Sequence, residues 1–287
     1  MKEVVILSGK GGTGKTSIVG SFAAIAQNKV MADCDVDAAD LHLLLNPSIR
    51  EKYEFHSGEV AVIDKDKCIE CGLCERLCRF DAIHDYVIDP VSCEGCGFCS
   101  HICPVDAITM NECKAGDWFI SDTRHGPLVH ARLGIAQENS GKLVALVRQQ
   151  SKKLAEKNGL DYVISDGPPG IGCPVISSLS GVSLALIVTE PTLSGMHDMD
   201  RVLAVCKHFG VSAMVCINKY DLNDMNTVAI HEYCREKEVE VAAMIPFDNV
   251  VTEAMVNGVS VVEQQSDGRV AREIKSLWQH IAWKLQE

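Results

Sequence analysis

Eight cysteines between positions 68 and 103 fall into two runs of identical spacing, C-x2-C-x2-C-x3-C. Cys68, Cys71, Cys74 and Cys78 make the first run; Cys93, Cys96, Cys99 and Cys103 make the second. Tight loops of this kind aim three thiolates at one iron–sulfur cube, and the fourth cysteine ligates the other cluster. The expected ligand sets are therefore Cys68, Cys71, Cys74 and Cys103 for one [4Fe–4S] cluster, and Cys93, Cys96, Cys99 and Cys78 for the other. Zinc would call for paired C-x-x-C knuckles instead. Two such clusters would carry electrons one at a time, at low potential. A proline follows Cys103, at Pro104, whereas Arg79 follows Cys78 and places a cation beside one cluster.

A second constellation opens the chain, SGKGGTGKTS from Ser8 to Ser17, in which Gly9, Gly14, Lys15 and Thr16 meet G-x-x-x-x-G-K-[ST]. Glycines let successive backbone N–H groups point at anionic oxygens, and a following helix adds its positive end. Gly11, Gly12, Thr13, Gly14, Lys15, Thr16 and Ser17 are the candidate nucleotide contacts. Lys15 would reach the β- and γ-phosphates and the Thr16 hydroxyl would ligate Mg²⁺. Lys10 is surplus to this pattern.

The elements that must position these groups alternate. EVVIL, Glu3 to Leu7, reads as a strand, Lys15 to Gln27 as a helix and Lys29 to Asp35 as a second strand, the opening of a parallel α/β sheet. The rhythm then breaks. Tyr53 to Asp64 reads as a hairpin, and the cysteine runs from Cys68 and Cys93 align at a constant offset of 25 residues, down to the Asp-Ala-Ile tails at Asp81 and Asp106. A duplication this short is one unit with two equivalent sites. Asp117 to Asp122 and Leu128 to Ile135 read as further strand, and Ser140 to Lys157 as a helix with Ser140 as its cap. Tyr162 to Asp166, Leu184 to Thr189, Ala213 to Asn218 and Val241 to Ile245 read as strands with helices between them. The expected organisation is a P-loop domain over 1–63 and 111–287, split by a two-cluster domain over 64–110.

K-G-G-T-G-K-T resembles the deviant Walker A loop of the MinD, ParA, Mrp and nitrogenase-iron-protein group of P-loop ATPases. The resemblance implies a mostly parallel α/β sheet, interrupted here by a bacterial ferredoxin-like α+β insert, and it extends over nearly all of the chain outside that insert. It implies that Lys10 reaches a partner subunit's nucleotide, so that hydrolysis is coupled to dimerisation, with an identical or a paralogous subunit. D-C-D-V-D, Asp33 to Asp37, is similar to the group's first switch, which implies a water-orienting Asp35 and places Asp33 in the Mg²⁺ shell. D-G-P-P-G, Asp166 to Gly170, resembles Walker B with the second switch, and Asp166 would hold a Mg²⁺-bound water. Asn218, in I-N-K, matches the asparagine with which the group reads adenine, and I-P-F-D-N-V-V from Ile245 matches a segment flanking the base. Asn218-Lys219-Tyr220-Asp221 also fits the letters of a guanine motif, but the group carries such matches and still uses ATP.

The catalytic set implied is Lys10, Lys15, Asp35 and Asp166. The implied activity is ATP hydrolysis that gates electron transfer, or delivery of a metal cluster, to a protein partner. The alternative is a MinD- or ParA-like positioning ATPase whose clusters sense redox state. An amidating synthase of the cobyrinate-diamide type shares the loop but has no need of two clusters. A net charge of −12 argues against nucleic acid and anionic membrane as bulk partners. No run of eighteen apolar residues or signal-peptide layout is found, which predicts a cytoplasmic protein. Ile274, Leu277, Trp278, Ile281 and Leu285 share one helical face with few cations opposite, which predicts docking on the protein's own core, not on a membrane. Cys173, seven residues after Asp166, matches the separation of an intersubunit cluster ligand in the nitrogenase iron protein, with Cys113 a candidate second ligand, but the favoured reading is a small buried thiol. Cys206, Cys216 and Cys234 read as core.

Overall fold

A computed structural model describes residues 1–134 and 139–286. The chain runs β1 (Lys2–Ser8), α1 (Lys15–Ile25), β2 (Lys29–Asp33), α2 (Leu41–Leu45) and β3 (Ser48–Ile63), then α3 (Leu73–Leu77), β4 (Ile83–His84), β5 (Val87–Ile88), α4 (Phe98–Ile102) and β6 (Ile108–Thr123). It continues through β7 (Gly126–Leu133), α5 (Ser140–Asn158), β8 (Tyr162–Pro169), α6 (Cys173–Leu179), β9 (Leu184–Thr189), α7 (Leu193–His208) and β10 (Ala213–Asn218). Last come α8 (Asp224–Glu236), β11 (Glu240–Ile245), α9 (Val250–Val256), α10 (Val261–Gln264) and α11 (Arg269–Lys284). These fall into two compact units: Met1–Lys52, Trp118–Arg132 and Ser140–Glu287 form the first, Tyr53–Asp117 and Leu133–Asn139 the second.

The first unit is an α/β P-loop fold. Its strands follow the order β11-β10-β9-β1-β8-β2-β7, with β6 and β3 next in the order. From β11 to β7 every neighbouring pair is parallel. Val4, Val5, Ile6 and Leu7 of β1 are fully buried, as expected of a central parallel strand covered by helices on both faces. Gly20 in α1 looks costly for a helix, but a Cβ there would come 2.7 Å from Leu44 Cδ1, so the glycine lets α2 close on α1. The apolar face of α11 is core: Ile274, Leu277, Trp278, Ile281 and Leu285 are buried, and Trp278 packs on Phe22 and Tyr162 at 5.2 and 5.5 Å between ring centroids. The amphipathic C-terminal helix thus docks on its own domain, as its weak basic face predicts.

The second unit shows the 25-residue repeat in its backbone. Gly72 and Gly97 sit left-handed (φ 68 and 71°) before the short helices α3 and α4, and Asp81 and Asp106 are left-handed (φ 52 and 49°) after them. The Cys68 and Cys93 amides donate to the Asp64 and Asp89 carbonyls at 3.0 and 3.1 Å. Ala82 and Ala107 amides donate to Cys78 and Cys103 Sγ at 3.4 and 3.3 Å. The unit's buried apolar side chains are few and mostly small, including Ala61, Ala82, Ile83, Ala107, Ile108 and Ala115.

Two expectations are corrected. Tyr53 to Asp64 is not a hairpin but the outer part of one 16-residue strand, β3: Gly58 takes a turn-like φ of 79°, yet the chain passes through it without reversing. Asp117 to Asp122 is strand, as expected, within the longer β6. Ser140 is the first residue of α5 instead of its cap, behind a left-handed Asn139 (φ 74°). Ile135, expected at the end of a strand, lies outside the described residues.

Candidate nucleotide site and cysteine cavities

The end of β1 delivers the phosphate loop to the carboxyl edge of the parallel strands, where open α/β sheets bind ligands. Gly14 (φ 87°) stands directly before α1. A Cβ on it would also lie 2.3 Å from Asn218 Nδ2, so the position admits glycine alone. A cavity of about 350 Å³ opens here, lined by Ser8, Gly11 to Ser17, Asp35, Ala38, Asp40, Leu43, Leu44, Pro169 and Met255.

Parallel pairing sets Asp33 of β2 level with Asp166 of β8, side by side under the loop. Both are buried, at 1% exposure. Lys15 Nζ lies 2.5 Å from Asp166 Oδ1 and 3.8 Å from Asp35 Oδ2, and the Thr16 hydroxyl donates to Asp166 Oδ2 at 2.8 Å. Burial opposes the Lys15 charge, yet Asp166 in contact, with Asp35 and Asp33 behind it, raises the lysine pKa. Burial, with Asp166 beside it, pushes Asp33 well above the usual carboxylate range. Burial likewise raises Asp35, to about 6, with Lys15 opposing. Three carboxylates face one lysine, an excess of anion that a divalent cation would relieve.

The residues fit Mg²⁺. All the donors are oxygens; Asp33 Oδ2 is buried with no hydrogen-bond partner, and Asp166 and Thr16 face each other. Among the described residues no three His, Cys, Asp or Glu side chains are gathered around one ion position. Mg²⁺ needs no such cage, because it keeps waters and takes one or two carboxylates plus substrate phosphate.

Lys10 points away from this cluster, to Glu190 Oε1 at 2.5 Å and Ser194 Oγ at 3.2 Å. Asn218 holds the loop from the far side: its Nδ2 donates to the Thr13 carbonyl at 2.7 Å, and its Oδ1 accepts from the Lys219 amide at 3.0 Å. Lys219 Nζ in turn donates to the Gly12 carbonyl at 3.0 Å. Asp221 Oδ1 accepts from the Phe247 amide at 2.7 Å, which ties the Ile245 segment to β10. Sequence reasoning missed Glu190, Asp40 and Met255. Each reaches the site through tertiary packing; Met255, for example, accepts at its Sδ from Ser17 Oγ at 3.4 Å.

In the second unit two cavities coincide with the two expected ligand sets. One, of about 370 Å³, is lined by Cys78, Cys93, Cys96, Cys99 and also Cys74, with Arg79 and Phe80 on its wall. The other is narrower and is lined by Cys68, Cys71, Cys74 and Cys103, with Pro104 and Tyr86. All eight thiols are free. Burial, with neighbouring thiols adding to it, raises the pKa of Cys74 and Cys99, a penalty that iron ligation would remove. The Glu70, Ala82 and Ala107 amides aim at Cys68, Cys78 and Cys103 sulfurs at 3.3 to 3.4 Å, the hydrogen bonds that tune such clusters. The donor chemistry fits cubane clusters, whose corners hold each sulfur on its own iron, so no three thiols need converge on one point.

Cys173, expected as a small buried thiol, is exposed at the start of α6. Cys113 is partly buried, its Sγ donating to the Ser57 carbonyl at 3.3 Å. Cys206, Cys216 and Cys234 are buried, as expected of core, and so is Cys34, whose thiol pKa burial pushes up.

A glycine loop between β1 and α1, with a buried aspartate of the parallel neighbour β8 against its lysine, defines a P-loop nucleotide-binding protein of the α/β class. The family model of the CobQ/CobB/MinD/ParA nucleotide binding domain matches residues 4–261, and the chain belongs to that family. It is similar to an uncharacterized protein of Methanocaldococcus jannaschii, 35% identical over 283 residues that cover 97% of this chain and 96% of that one. A fainter likeness, 22% identity over 303 residues, links 98% of it to 81% of a cytosolic Fe-S cluster assembly factor, a NUBP1 homolog of Brugia malayi. Its fold is similar to that of the septum site-determining protein MinD of Pyrococcus horikoshii complexed with Mg-ADP, with a TM-score of 0.60 at 19% identity over 98% of this chain and 95% of that chain. The protein is thus a nucleotide-binding member of the MinD/ParA superfamily. Among the described residues no helix is long and apolar enough to cross a membrane.

Proposed function

We propose that the chain is an iron–sulfur ATPase with an inserted two-cluster ferredoxin domain over 64–110, and that its nucleotide-driven dimer cycle gates electron transfer, or delivery of a metal cluster, to a protein partner. One observation carries this reading: a phosphate loop and two cavities, each lined by one expected set of four cysteines, occur in one chain. Cys68, Cys71, Cys74 and Cys103 would hold one [4Fe–4S] cluster and Cys93, Cys96, Cys99 and Cys78 the other, and these would supply one-electron transfer at low potential.

The chain's own residues bind and orient the nucleotide. Backbone N–H groups of Gly11 to Thr16 receive the phosphates, and Asn218 and Lys219 brace the loop by its carbonyls. Adenine suits this site better than guanine, because Asp221, which would read a guanine, already accepts from Phe247. Lys15 exchanges its contact with Asp166 for the β- and γ-phosphates. Thr16, Asp33 and Asp166 would hold Mg²⁺, which supplies charge neutralisation at the transferring phosphoryl group. Asp35 is aimed at the same cavity and orients the attacking water, its raised pKa suiting a carboxylate that accepts a proton late. Lys10 from the partner subunit, identical or paralogous, completes the charge balance.

The test is EPR-monitored titration of the cluster potentials in nucleotide-free, ADP and non-hydrolysable-ATP states. A shift of about 60 mV for a one-electron couple equals roughly 1.4 kcal/mol of coupling, and linkage requires reduction to change ATP affinity equally. Nucleotide-independent potentials would favour the second reading, a positioning ATPase with sensing clusters. The MinD likeness supports that reading, whereas the burial of Ile274, Leu277, Trp278 and Ile281 of α11 in the core weighs against that helix as a membrane anchor. ATP-dependent sedimentation with liposomes would establish it.

A further inference from the structure

The contacts of Lys10 raise a question of their own. A lysine that serves a partner's nucleotide has to be somewhere before the partner arrives, and here it is held by Glu190. Sheet register explains why. Leu7 of β1 pairs with Ile187 of β9, so Lys10 emerges from the sheet level with Glu190, just past the end of β9. On the other side Thr189 pairs with Ile217 of β10, which brings Lys219 alongside as well. Glu190 therefore stands between two lysines, with its Oε1 on Lys10 at 2.5 Å and its Oε2 facing Lys219 at 3.4 Å.

The carboxylate is firmly mounted. Gly195 packs so closely on the Glu190 carbonyl that a Cβ would lie 2.4 Å from it, and the Gly195 amide donates to Thr192 Oγ1 at 2.9 Å. Glu190 is 16% exposed against 32% for Lys10, so the anchor is the less solvated partner. Burial opposes its charge, but the two lysines outweigh that and lower its pKa.

We propose that Glu190 is a latch on the resting chain, holding Lys10 on its own subunit until a nucleotide-loaded partner competes for it. This rests on the reading of Lys10 as the residue that crosses to a partner. It adds a threshold. Both latches of a dimer must open together, and the incoming phosphates must outbid both carboxylates, so a dimer without nucleotide is disfavoured. Lys219, bonded to both Glu190 and the Gly12 carbonyl, ties the same carboxylate to the occupied or empty state of the loop.

Sedimentation velocity of the full chain with Mg²⁺ and a non-hydrolysable ATP analogue tests this in wild type, E190Q, E190D, K10A and the K10A/E190Q double variant. A partly exposed pair contributes modestly, but two open per dimer, so E190Q should tighten nucleotide-dependent dimerisation about tenfold. E190D, which keeps the charge, should stay near wild type, and the double variant should gain nothing over K10A. S194A, which removes the other Lys10 contact, should give a smaller gain of the same sign. Unchanged or weaker dimerisation in both E190Q and S194A, with K10A defective, would overturn the latch alone. A gain that survives in the double variant would also overturn it, since it would not act through Lys10. Wild-type dimerisation by K10A would overturn the crossing role of Lys10 and the latch with it.

Discussion

The nucleotide site and the cysteine cavities are built in opposite ways. The first gathers Lys15, Asp33, Asp35, Asp166 and Asn218 from elements up to about 200 positions apart, and buried contacts among its own side chains and backbone hold it together. The second comes almost wholly from one stretch, 68–103, and around its cavities Ile69, Val91 and Phe98 stay exposed at 61, 62 and 49%. One site is a packed scaffold carrying excess charge; the other has little core of its own and, on the proposed reading, would depend on the clusters its thiols hold. Small domains with too little apolar burial need a metal to stand in for the core.

That contrast can be broken most decisively by removing iron. The metal-free chain is expected to lose the fold of residues 53–117, read as rapid proteolysis confined to that span, while nucleotide affinity stays within about twofold. Equal protection with and without iron would erase the difference between the two regions. Next in size, Lys15→Gln removes the cation that Asp166 contacts, and hydrolysis should fall at least about 10³-fold, the scale of losing a transition-state electrostatic partner. Iron content of that variant should be unchanged, which single-turnover assays and metal analysis would establish together.

Asp35 offers a smaller, pH-dependent effect. Its folded pKa of about 6 lies above the ordinary 3.8, so the ionised carboxylate costs stability. The cost is absent below about pH 4, grows as pH rises, and is complete above about pH 6. Asp35→Asn should therefore stabilise the nucleotide-free protein by about 2 kcal/mol at pH 7.5, and by nothing measurable near pH 4, in chemical denaturation at the two pH values. The same variant should lose hydrolysis. Smallest of all, Arg79→Gln removes a cation from the wall of the Cys78, Cys93, Cys96 and Cys99 cavity only. The potential of that cluster should drop by about 20 mV, leaving the other unmoved, because the guanidinium is solvated and an exposed charge acts weakly.

Much of this was legible in the residues. Glycines, cysteines and short buried strands announce themselves because local backbone geometry demands them: Gly14 and Gly72 are left-handed where the motifs require it. The strands Leu184–Thr189 and Ala213–Asn218 match the reading at both ends, since continuous buried runs leave little choice of boundary. Tyr53 to Asp64 misled because Ser57-Gly58 reads locally as a turn, and only pairing along its length makes it a strand. Glu190 and Met255 were invisible for the same reason. Their neighbours in space are set by sheet order, which no short window of sequence contains. The exposure of Cys173 was misjudged because a lone thiol carries no local signal of which way its helix faces.

The placement of β1 also orders events during synthesis. Its two hydrogen-bonded neighbours are β8 and β9, so residues 2–8 have no sheet partner until residue 162 has been made. At about 5–20 residues per second, that leaves the phosphate-loop strand waiting for roughly 8 to 30 s on the ribosome. All eight spaced cysteines emerge within this interval. On the proposed reading, a nascent chain would therefore expose its cluster ligands to iron before it could hold ATP, so the clusters would be filled ahead of any catalytic cycle.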